Sequence, residues 1–254
     1  MDLCLQRRRA LVTGGSRGIG LAIADRLARE GAHVAICARS QGALVDAARR
    51  IERHGTAVYA DTVDVADPVA VTRWVGDAAQ QLGGGIDIVV HNASGAGGVG
   101  EQAWRRNFAV DVMAFTHVVD AARPFLEQSD AASVVALGST AAIEAFANPA
   151  APFGALKAAL IHHVSGLARN LAPAGIRLNT VSPGPVFFAG GDWDRVQRDR
   201  PDFYAEIVAS IPRGSMGTPE EIANVVAFVA SPLASYVTGV NIVVDGAMTK
   251  KVPF

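Results

Sequence analysis

The stretch Thr13-Gly14-Gly15-Ser16-Arg17-Gly18-Ile19-Gly20 decides the fold of this 254-residue chain, because its glycines join a short apolar run to a helical pattern. The run Arg9–Thr13 is typical of a buried strand, and Gly18–Glu30 has the spacing of a helix. Glycines at such a turn let a pyrophosphate approach the backbone, and the helix N-terminus offers N–H donors and positive potential. A plain tight turn is the other interpretation. The position of the glycines, at the opening of a strand–helix–strand unit, favours a dinucleotide site.

Short apolar runs and longer helical patterns alternate along the whole chain. Most of the apolar runs are unbroken, as expected for strands that are covered on both faces. We predict strands at Arg9–Thr13, His33–Ala38, Ala57–Ala60, Ile86–His91, Ser133–Gly138, Ile176–Val181 and Val240–Val244. We predict helices at Gly18–Glu30, Gln41–His54, Pro68–Leu82, Glu101–Glu127, Pro152–Leu171 and Pro219–Ala230. The alternation predicts an α/β fold, a Rossmann-type, doubly wound, seven-stranded parallel sheet flanked by helices, in a single domain over 1–254.

The composition excludes several classes of protein. Half of the residues are hydrophobic (50%), which excludes a disordered chain, and a net charge of −1 gives no electrostatic reason to expect nucleic acid or an anionic membrane. No run approaches the roughly 18 apolar residues of a membrane span, and the first residues do not have the order of a signal peptide. Two cysteines, Cys4 and Cys37, fit a reducing compartment. We therefore expect a cytoplasmic protein with neither a nucleic acid nor a membrane as its partner.

Lysine and tyrosine are rare in this chain. Of 23 basic residues only three are lysines, and there are only three tyrosines. Lys157 is the one lysine far from the C-terminus, and it lies on an otherwise apolar helical pattern. A lysine at that place in an arginine-rich chain indicates a specific role, although a solvated surface lysine is the alternative.

The stretch Pro185–Pro212 interrupts the alternation of strands and helices. It combines the pair Gly190-Gly191 with a charged run and with several aromatic residues. One interpretation is an ordinary surface excursion. The other is a mobile lid at about 186–212 that covers a substrate pocket and hinges at the glycines.

The glycine spacing resembles that of the short-chain dehydrogenase/reductase family, and further motifs follow in the order of that family. Asp64-Val65 stands where the family contacts adenine, and His91-Asn92-Ala93-Ser94-Gly95 is similar to its Asn-Asn-Ala-Gly signature. The remaining matches are Ser139, Lys157, Ser182-Pro183-Gly184 and Asp245-Gly246. The resemblance covers roughly residues 7 to 247 and implies that the chain binds a nicotinamide dinucleotide. The residues it assigns to that cofactor are Gly14, Ser16, Arg17, Gly18, Ile19, Gly20, Arg39, Asp64, Val65, Asn92, Ala93, Lys157, Pro183, Gly184 and Val186.

The end of the second strand indicates which dinucleotide binds. Enzymes that choose NAD usually place an acidic residue there for the ribose 2′-hydroxyl, whereas this chain has Cys37-Ala38-Arg39-Ser40. Ala38 leaves room for a 2′-phosphate, and Arg39, with Arg17 as a second candidate, can pair with it. We predict NADP(H). The alternative is that Arg39 is one more solvated arginine.

The catalytic motif implied by the resemblance is incomplete. In this family a tyrosine four residues before the lysine acts as general acid/base, the lysine binds the nicotinamide ribose, and a serine binds the substrate oxygen. Here Phe153 occupies the tyrosine position before Lys157, and a phenyl ring has no proton to give. Ser139 lies one residue farther from that position than is usual, so Thr140 is an alternative for part of its role. Phe188 stands where the family usually has a threonine.

A second substitution accompanies the missing tyrosine. Asp111 occupies the position of an asparagine in the family's long fourth helix. An aspartate there, without the tyrosine, is similar to the peroxisomal type of 2,4-dienoyl-CoA reductase. That resemblance implies hydride transfer to a carbon of a conjugated thioester, with Asp111 and a water supplying the proton. The alternative is that Asp111 only preserves the geometry of the helix.

The expected function is that of an NADPH-dependent reductase with Ser139, Lys157 and Asp111 as catalytic residues. Its substrate would be a hydrophobic carbonyl or a conjugated enoyl or dienoyl compound. The competing interpretation is a catalytically inactive NADP(H)-binding sensor or regulatory subunit. We expect no metal site, because the adjacent His162 and His163 point in different directions on a helix. By resemblance, the helical patterns Glu101–Glu127 and Pro152–Leu171 are expected to join copies of the chain into a dimer or tetramer.

Overall fold

A seven-stranded parallel sheet forms the centre of the computed structural model, which describes residues 1–145 and 151–250. The strands are β1 Arg9–Thr13, β2 His33–Ala38, β3 Val58–Thr62, β4 Ile88–His91, β5 Ser133–Leu137, β6 Arg177–Pro183 and β7 Asn241–Val244. Their order is β3-β2-β1-β4-β5-β6-β7, and every neighbouring pair is parallel. The chain therefore winds outward from β1 in both directions, which confirms the predicted doubly wound Rossmann-type sheet. The predicted strands differ from the observed ones by a few residues at their ends.

Helices cover both faces of this sheet. They are α1 Gly18–Arg29, α2 Gln41–Glu52, α3 Pro68–Gln81, α4 Gly100–Asn107, α5 Ala114–Leu126, α6 Pro152–Leu171, α7 Asp192–Asp199, α8 Pro201–Ser210 and α9 Pro219–Ala230. Helix α9 begins with a capping box, in which the Thr218 hydroxyl accepts the Glu221 N–H while the Glu221 carboxylate accepts the Thr218 N–H.

The predicted helix over Glu101–Glu127 is present without a break, but it is not α-helical throughout. A π-helical segment, Phe108–Met113, separates α4 from α5. A π-helical turn holds an extra residue and keeps the helical hydrogen bonding, so the apolar pattern of the sequence does not reveal it. The segment carries Asp111, whose side chain is fully buried.

The core consists of two layers, one on each face of the sheet. One layer joins the sheet to α3, α5 and α6, and the other joins it to α1, α2 and α9. Along β1, Leu11 belongs to the first layer while Ala10 and Val12 belong to the second. Because successive side chains of a strand point to opposite faces, both sides of such a strand must be apolar. This explains why the sequence shows unbroken apolar runs.

The stretch between β6 and α9 contains α7 and α8, which the sequence did not predict. Its two ends are held together, since Phe187 N–H donates to Gly217 O and Gly217 N–H donates to Pro185 O, both at 2.9 Å. Within the excursion, aromatic and aliphatic side chains pack against Ile211, Met216 and Met248. The excursion is therefore a closed helical unit with a small core of its own.

In residues 1–145 and 151–250 no helix has the length and apolarity that crossing a membrane requires. The same residues contain no group of three or more histidine, cysteine or acidic side chains that could hold a metal ion.

Arg177 joins the start of β6 to the end of α9. Its guanidinium is buried, with 8% of the residue exposed, and it donates to the carbonyl oxygens of Val229 at 2.8 Å, Ser231 at 3.0 Å and Ala230 at 3.3 Å. The last carbonyls of a helix have no partner within the helix. Arg177 supplies these partners and places a positive charge at the negative end of the helix dipole.

We predict that Arg177→Met lowers the free energy of unfolding by about 3 kcal/mol, because methionine fills the space but leaves buried carbonyls unpaired. Arg169→Met is the matched control, since Arg169 is an exposed arginine in the last turn of α6 and its loss should cost less than about 0.5 kcal/mol. Urea unfolding monitored by circular dichroism measures both. Equal effects of the two substitutions would show that the buried cap does not stabilise the fold.

Candidate active site

The turn after β1 is shaped by contacts that leave no room for side chains. Gly14 and Gly18 have φ angles of +65° and +55°, which favour glycine. A Cβ on Gly20 would lie 2.2 Å from Gly14 O and 2.3 Å from Asn92 Nδ2. The Asn92 amide in turn donates to Thr13 O and Gly14 O, both at 3.0 Å. The loop after β4 therefore holds the glycine turn in shape.

The charges around this turn suit an anionic ligand. The first turn of α1, Gly18–Leu21, includes no acidic residue that would compete for its N–H groups. Arg17 and Arg39 are exposed, and within the described parts of the chain neither forms an ion pair. They follow neighbouring strands, since Thr13 of β1 pairs with Cys37 of β2. A dinucleotide with a 2′-phosphate fits this set of donors.

The other residues assigned to the cofactor also follow the carboxyl ends of the parallel strands, which lie at one edge of the sheet. They are Ser16 and Ile19 in the glycine turn, Asp64 and Val65 after β3, Ala93 after β4, Pro183 at the end of β6, and Gly184 and Val186 just beyond it. Gly184 lies against the turn that follows β7, since a Cβ there would be 2.7 Å from Asp245 Cβ.

A buried pair of opposite charges lies at the same edge. Lys157 Nζ is 3.0 Å from Asp111 Oδ1, and the two side chains are 3% and 1% exposed. The ammonium also donates to Leu137 O at 2.6 Å, and Asp111 Oδ2 accepts the Gly95 N–H at 3.0 Å. Among the described residues, none donates a well-aligned hydrogen bond to Asp111 Oδ1, so its contact with Lys157 is electrostatic. This oxygen can therefore still accept a hydrogen bond.

The loop that supplies the Gly95 N–H is itself clamped. Arg106 donates from Nε to Gly95 O and from Nη2 to Gly97 O, both at 2.7 Å. A Cβ on Gly95 would lie 2.8 Å from Asn107 Cα, so only glycine fits there. Arg106 is not among the site residues predicted from the sequence. The only sequence feature that could have indicated its role is its position five residues before Asp111.

The structure places Phe153 beside the lysine. The centre of its ring is 5.8 Å from Lys157 Nζ, within the range of a cation–π contact. The next residue, Gly154, packs so closely on the preceding loop that a Cβ would lie 2.4 Å from Ala141 O. An apolar ring therefore stands next to the ammonium at the position where the family has a hydroxyl.

Ser139 and Thr140 differ in exposure. Ser139 is partly exposed, and its Oγ accepts the Ala141 N–H at 3.1 Å, which leaves the hydroxyl proton available to a ligand. Thr140 is buried, with 4% exposed. Ser139 also follows Leu137, whose carbonyl binds Lys157. Of the two hydroxyls, that of Ser139 is the better placed to meet a substrate.

His91, at the end of β4, connects the glycine turn to the π-helical segment. Its Nε2 lies 3.1 Å from Val110 O, and its Nδ1 lies 3.3 Å from Thr13 Oγ1. A carbonyl can only accept, so Nε2 carries the proton and Nδ1 accepts one from the Thr13 hydroxyl. Thr13 Oγ1 also accepts the N–H groups of Asn92 and Ala93 at 3.0 Å and 3.1 Å. The network therefore requires a neutral imidazole.

The electrostatic environment of His91 agrees with this assignment. Burial, and after it the charge of Lys157, lower the pKa of His91 from 6.5 to about 4, while Asp111 opposes the shift. His91 was predicted only as part of the motif on the cofactor side. Its hydrogen bonds to both the glycine turn and the π-helical segment could not be read from the sequence.

Comparison with known proteins places the chain in a family. Residues 14–249 match the family model described as Enoyl-(Acyl carrier protein) reductase. Isoepoxydon dehydrogenase of Aspergillus clavatus is 40% identical over 248 residues, which cover 96% of this chain and 95% of that protein. The chain belongs to the short-chain dehydrogenase/reductase family. Membership of this family of oxidoreductases confirms the expectation drawn from the motifs.

Two solved structures of short-chain dehydrogenase/reductases are closely similar. L-sorbose reductase of Gluconobacter frateurii, in complex with NADPH and L-sorbose, has a TM-score of 0.90 and 29% identity, with 99% of this chain and 100% of that chain covered. An NADPH-bound short-chain oxidoreductase of Pseudomonas aeruginosa PAO1, described as containing an atypical catalytic centre, has a TM-score of 0.88 and 32% identity, with 96% and 97% covered.

We predict that His91 makes the protein less stable as the pH falls from about 6.5 to about 4. In this window the unfolded chain binds a proton on His91 and the native chain does not, because the native pKa is the lower one. The decrease in the free energy of unfolding that is due to His91 should reach about 3 kcal/mol at pH 4. Urea unfolding of the native protein and of His91→Gln at several pH values measures it, since the difference between the two curves isolates this residue. Parallel curves would contradict the assignment of a neutral, buried His91.

Proposed function

We propose that this short-chain dehydrogenase/reductase is an NADPH-dependent reductase of hydrophobic conjugated enoyl or dienoyl compounds, thioesters included, or of hydrophobic carbonyls, in which Asp111 and a water supply the proton that the missing tyrosine would give. The observation that carries the proposal is the buried contact between Asp111 and Lys157, next to the apolar ring of Phe153. A carboxylate that can orient a water is thus present beside a position, Phe153, that has no hydroxyl.

Arg17 and Arg39 are the residues that would hold the 2′-phosphate, and the N-terminus of α1 would hold the pyrophosphate. Lys157 has three N–H donors, of which one binds Leu137 O and one faces Asp111, so the third remains for a ribose hydroxyl. When bound, NADPH supplies the hydride. The solved NADPH complexes of similar structures support this choice of cofactor.

The substrate oxygen is assigned to Ser139. Its hydroxyl proton is free to donate, and a hydrogen bond there stabilises the negative charge that develops on a carbonyl oxygen during reduction. Asp111 Oδ1 retains a free acceptor position, which can orient a water. That water gives a proton to the carbon, the Lys157 ammonium offsets the charge of the hydroxide that forms, and a proton from solvent restores the water, so the reaction does not need a hydroxyl at the position of Phe153. This division of roles favours a conjugated alkene over an isolated ketone.

We further propose that the excursion between Val186 and Gly217 is the substrate lid. Its internal cluster brings Phe187, Trp193 and Tyr204 together above the carboxyl edge of the sheet, and this apolar surface suits a hydrophobic substrate. The ends of the excursion are joined by hydrogen bonds, so the unit can move as one piece about its base.

A non-catalytic protein that senses NADP(H) is the second candidate. Phe153 favours it, because the replacement of an acid by a phenyl ring is the expected mark of lost catalysis. The two candidates differ in turnover, whereas both bind the dinucleotide.

We expect NADPH to be oxidised in the presence of crotonyl-CoA or 2,4-hexadienoyl-CoA, with simple ketones such as cyclohexanone left unreduced. Asp111→Asn should lower turnover about 100-fold, a typical contribution of a general acid. Absorbance at the NADPH band measures the rate, and the thermal midpoint of the variant shows whether it folds. Phe153→Tyr is the matched gain-of-function variant, expected to add ketone reduction.

The outcomes separate the candidates. Consumption of the ketone with both thioesters inert would refute the preference for alkenes. NADPH binding without turnover of any substrate, unchanged in Asp111→Asn, would instead support the sensor.

We predict that Arg39→Asp weakens NADPH binding about 10-fold to 100-fold, because it removes a charge-assisted hydrogen bond to the 2′-phosphate and adds a repulsive charge. NADH binding should change little. Arg53→Asp, at the exposed end of α2, makes the same change of net charge away from the site and serves as control. Fluorescence titration of the three proteins with both dinucleotides measures the six affinities. NADH binding as tight as NADPH binding to the native protein would overturn the assignment.

A further inference from the structure

The ring of Phe188 lies between the glycine turn and the start of α7. A Cβ built on Gly18 would be 2.5 Å from Phe188 Cζ, and one built on Gly191 would be 2.9 Å from the same atom. The far edge of the ring therefore occupies the space that both glycines leave open. One of these glycines begins α1, and the other is the N-cap of α7.

The space at Gly18 matters because it is next to the N–H groups at the N-terminus of α1. In a glycine turn of this kind the absent side chain lets the backbone come close to a pyrophosphate. Here an apolar ring fills that approach. A pyrophosphate and the ring of Phe188 cannot both lie against Gly18, so one has to displace the other.

The ring is also coupled to the lid. Gly191 N–H donates to Phe188 O at 3.0 Å, and Asp194 Oδ2 accepts the Gly190 N–H at 2.7 Å, so the first turn of α7 is tied to the backbone that carries the ring. The neighbouring side chain behaves differently. Phe187 packs inside the lid against Tyr204, with ring centres 6.2 Å apart. Of two adjacent phenylalanines, one thus holds the lid together and the other attaches it to α1.

We propose that Phe188 is a residue of the dinucleotide site that closes the N-terminus of α1 when no dinucleotide is bound, and that the incoming pyrophosphate displaces the ring together with α7. The inference rests on the proposed function, because it requires a dinucleotide to bind at Gly14–Gly20. Part of the free energy of dinucleotide binding then goes into displacing the Phe188 ring. The measured affinity is the intrinsic one reduced by the fraction of molecules that are open.

NADPH binding to the native protein, Phe188→Ala and Phe228→Ala tests this proposal. Removal of the Phe188 ring should tighten binding at least about fivefold and speed association in stopped-flow fluorescence, because every molecule is then open. Phe228→Ala removes an aromatic ring of equal size from an exposed position on α9, outside the glycine turn and the lid, and should leave the affinity within about twofold. Phe188→Leu, which keeps most of the apolar volume, covers the case in which the alanine variant fails to fold, and its affinity should lie between those of the native protein and the alanine variant.

Limited proteolysis with trypsin provides a second readout. Two arginines of α7 are exposed and are not followed by proline, namely Arg195 and Arg198. In the native protein, saturation with NADPH should speed cleavage at these residues, whereas Phe188→Ala should be cleaved at that faster rate with or without NADPH.

Weaker or unchanged NADPH binding by Phe188→Ala and Phe188→Leu, with the native protein binding NADPH, would overturn the role of Phe188 and leave the proposed function intact. Absence of NADPH binding in all of these proteins would refute the proposed function itself.

Discussion

The buried contact between Asp111 and Lys157 is the constraint on which the site depends. A charged group in the interior is costly unless an opposite charge and hydrogen bonds compensate it, and removal of one partner leaves the other uncompensated. The compensation here comes from three separate segments: the π-helical segment carries the carboxylate, the loop after β4 donates the Gly95 N–H, and β5 accepts from the ammonium. The geometry of one ion pair therefore sets the relative positions of several elements at the carboxyl edge of the sheet.

The π-helical segment and the clamp of Arg106 follow from that constraint. The extra residue of the π-helical turn rotates the chain, and Asp111 lies on the face of the helix that meets α6. Arg106 holds the backbone of the loop that must donate to Asp111. The same arrangement places the carboxylate of Asp111 and the apolar ring of Phe153 on either side of the Lys157 ammonium. The proposed protonation of carbon depends on that placement.

The sequence allowed the sheet and most helices to be predicted. It singled out Asp111 and Lys157 without revealing their contact, and physical reasons explain what it did not show. Strands buried on both faces and helices with an apolar stripe leave periodic patterns, whereas the π-helical segment leaves the period almost unchanged. Helix α7 has eight residues and α8 has ten, and neither has a fully buried residue. Tyr204, Ile207 and Val208 of α8 do have helical spacing and pack in the small cluster of the excursion, but so short a pattern is a weaker signal than that of the core helices. Arg106 and His91 form hydrogen bonds with backbone carbonyls of distant segments. Every residue has a backbone carbonyl, so such a partner cannot be recognised from the side chains in the sequence. The contact of Phe188 with Gly18 depends on the fold alone.

The locked tautomer of His91 has a consequence for the movement of protons. Both ring nitrogens are engaged, and the threonine hydroxyl that serves one of them already accepts two backbone N–H groups. The imidazole cannot pass a proton onward without breaking the hydrogen bonds that shape the glycine turn. His91 therefore offers no path for a proton toward the site. On the proposed function, each proton consumed in a turnover reaches the water at Asp111 from bulk solvent on the substrate side, so access of solvent belongs to the recovery of the enzyme.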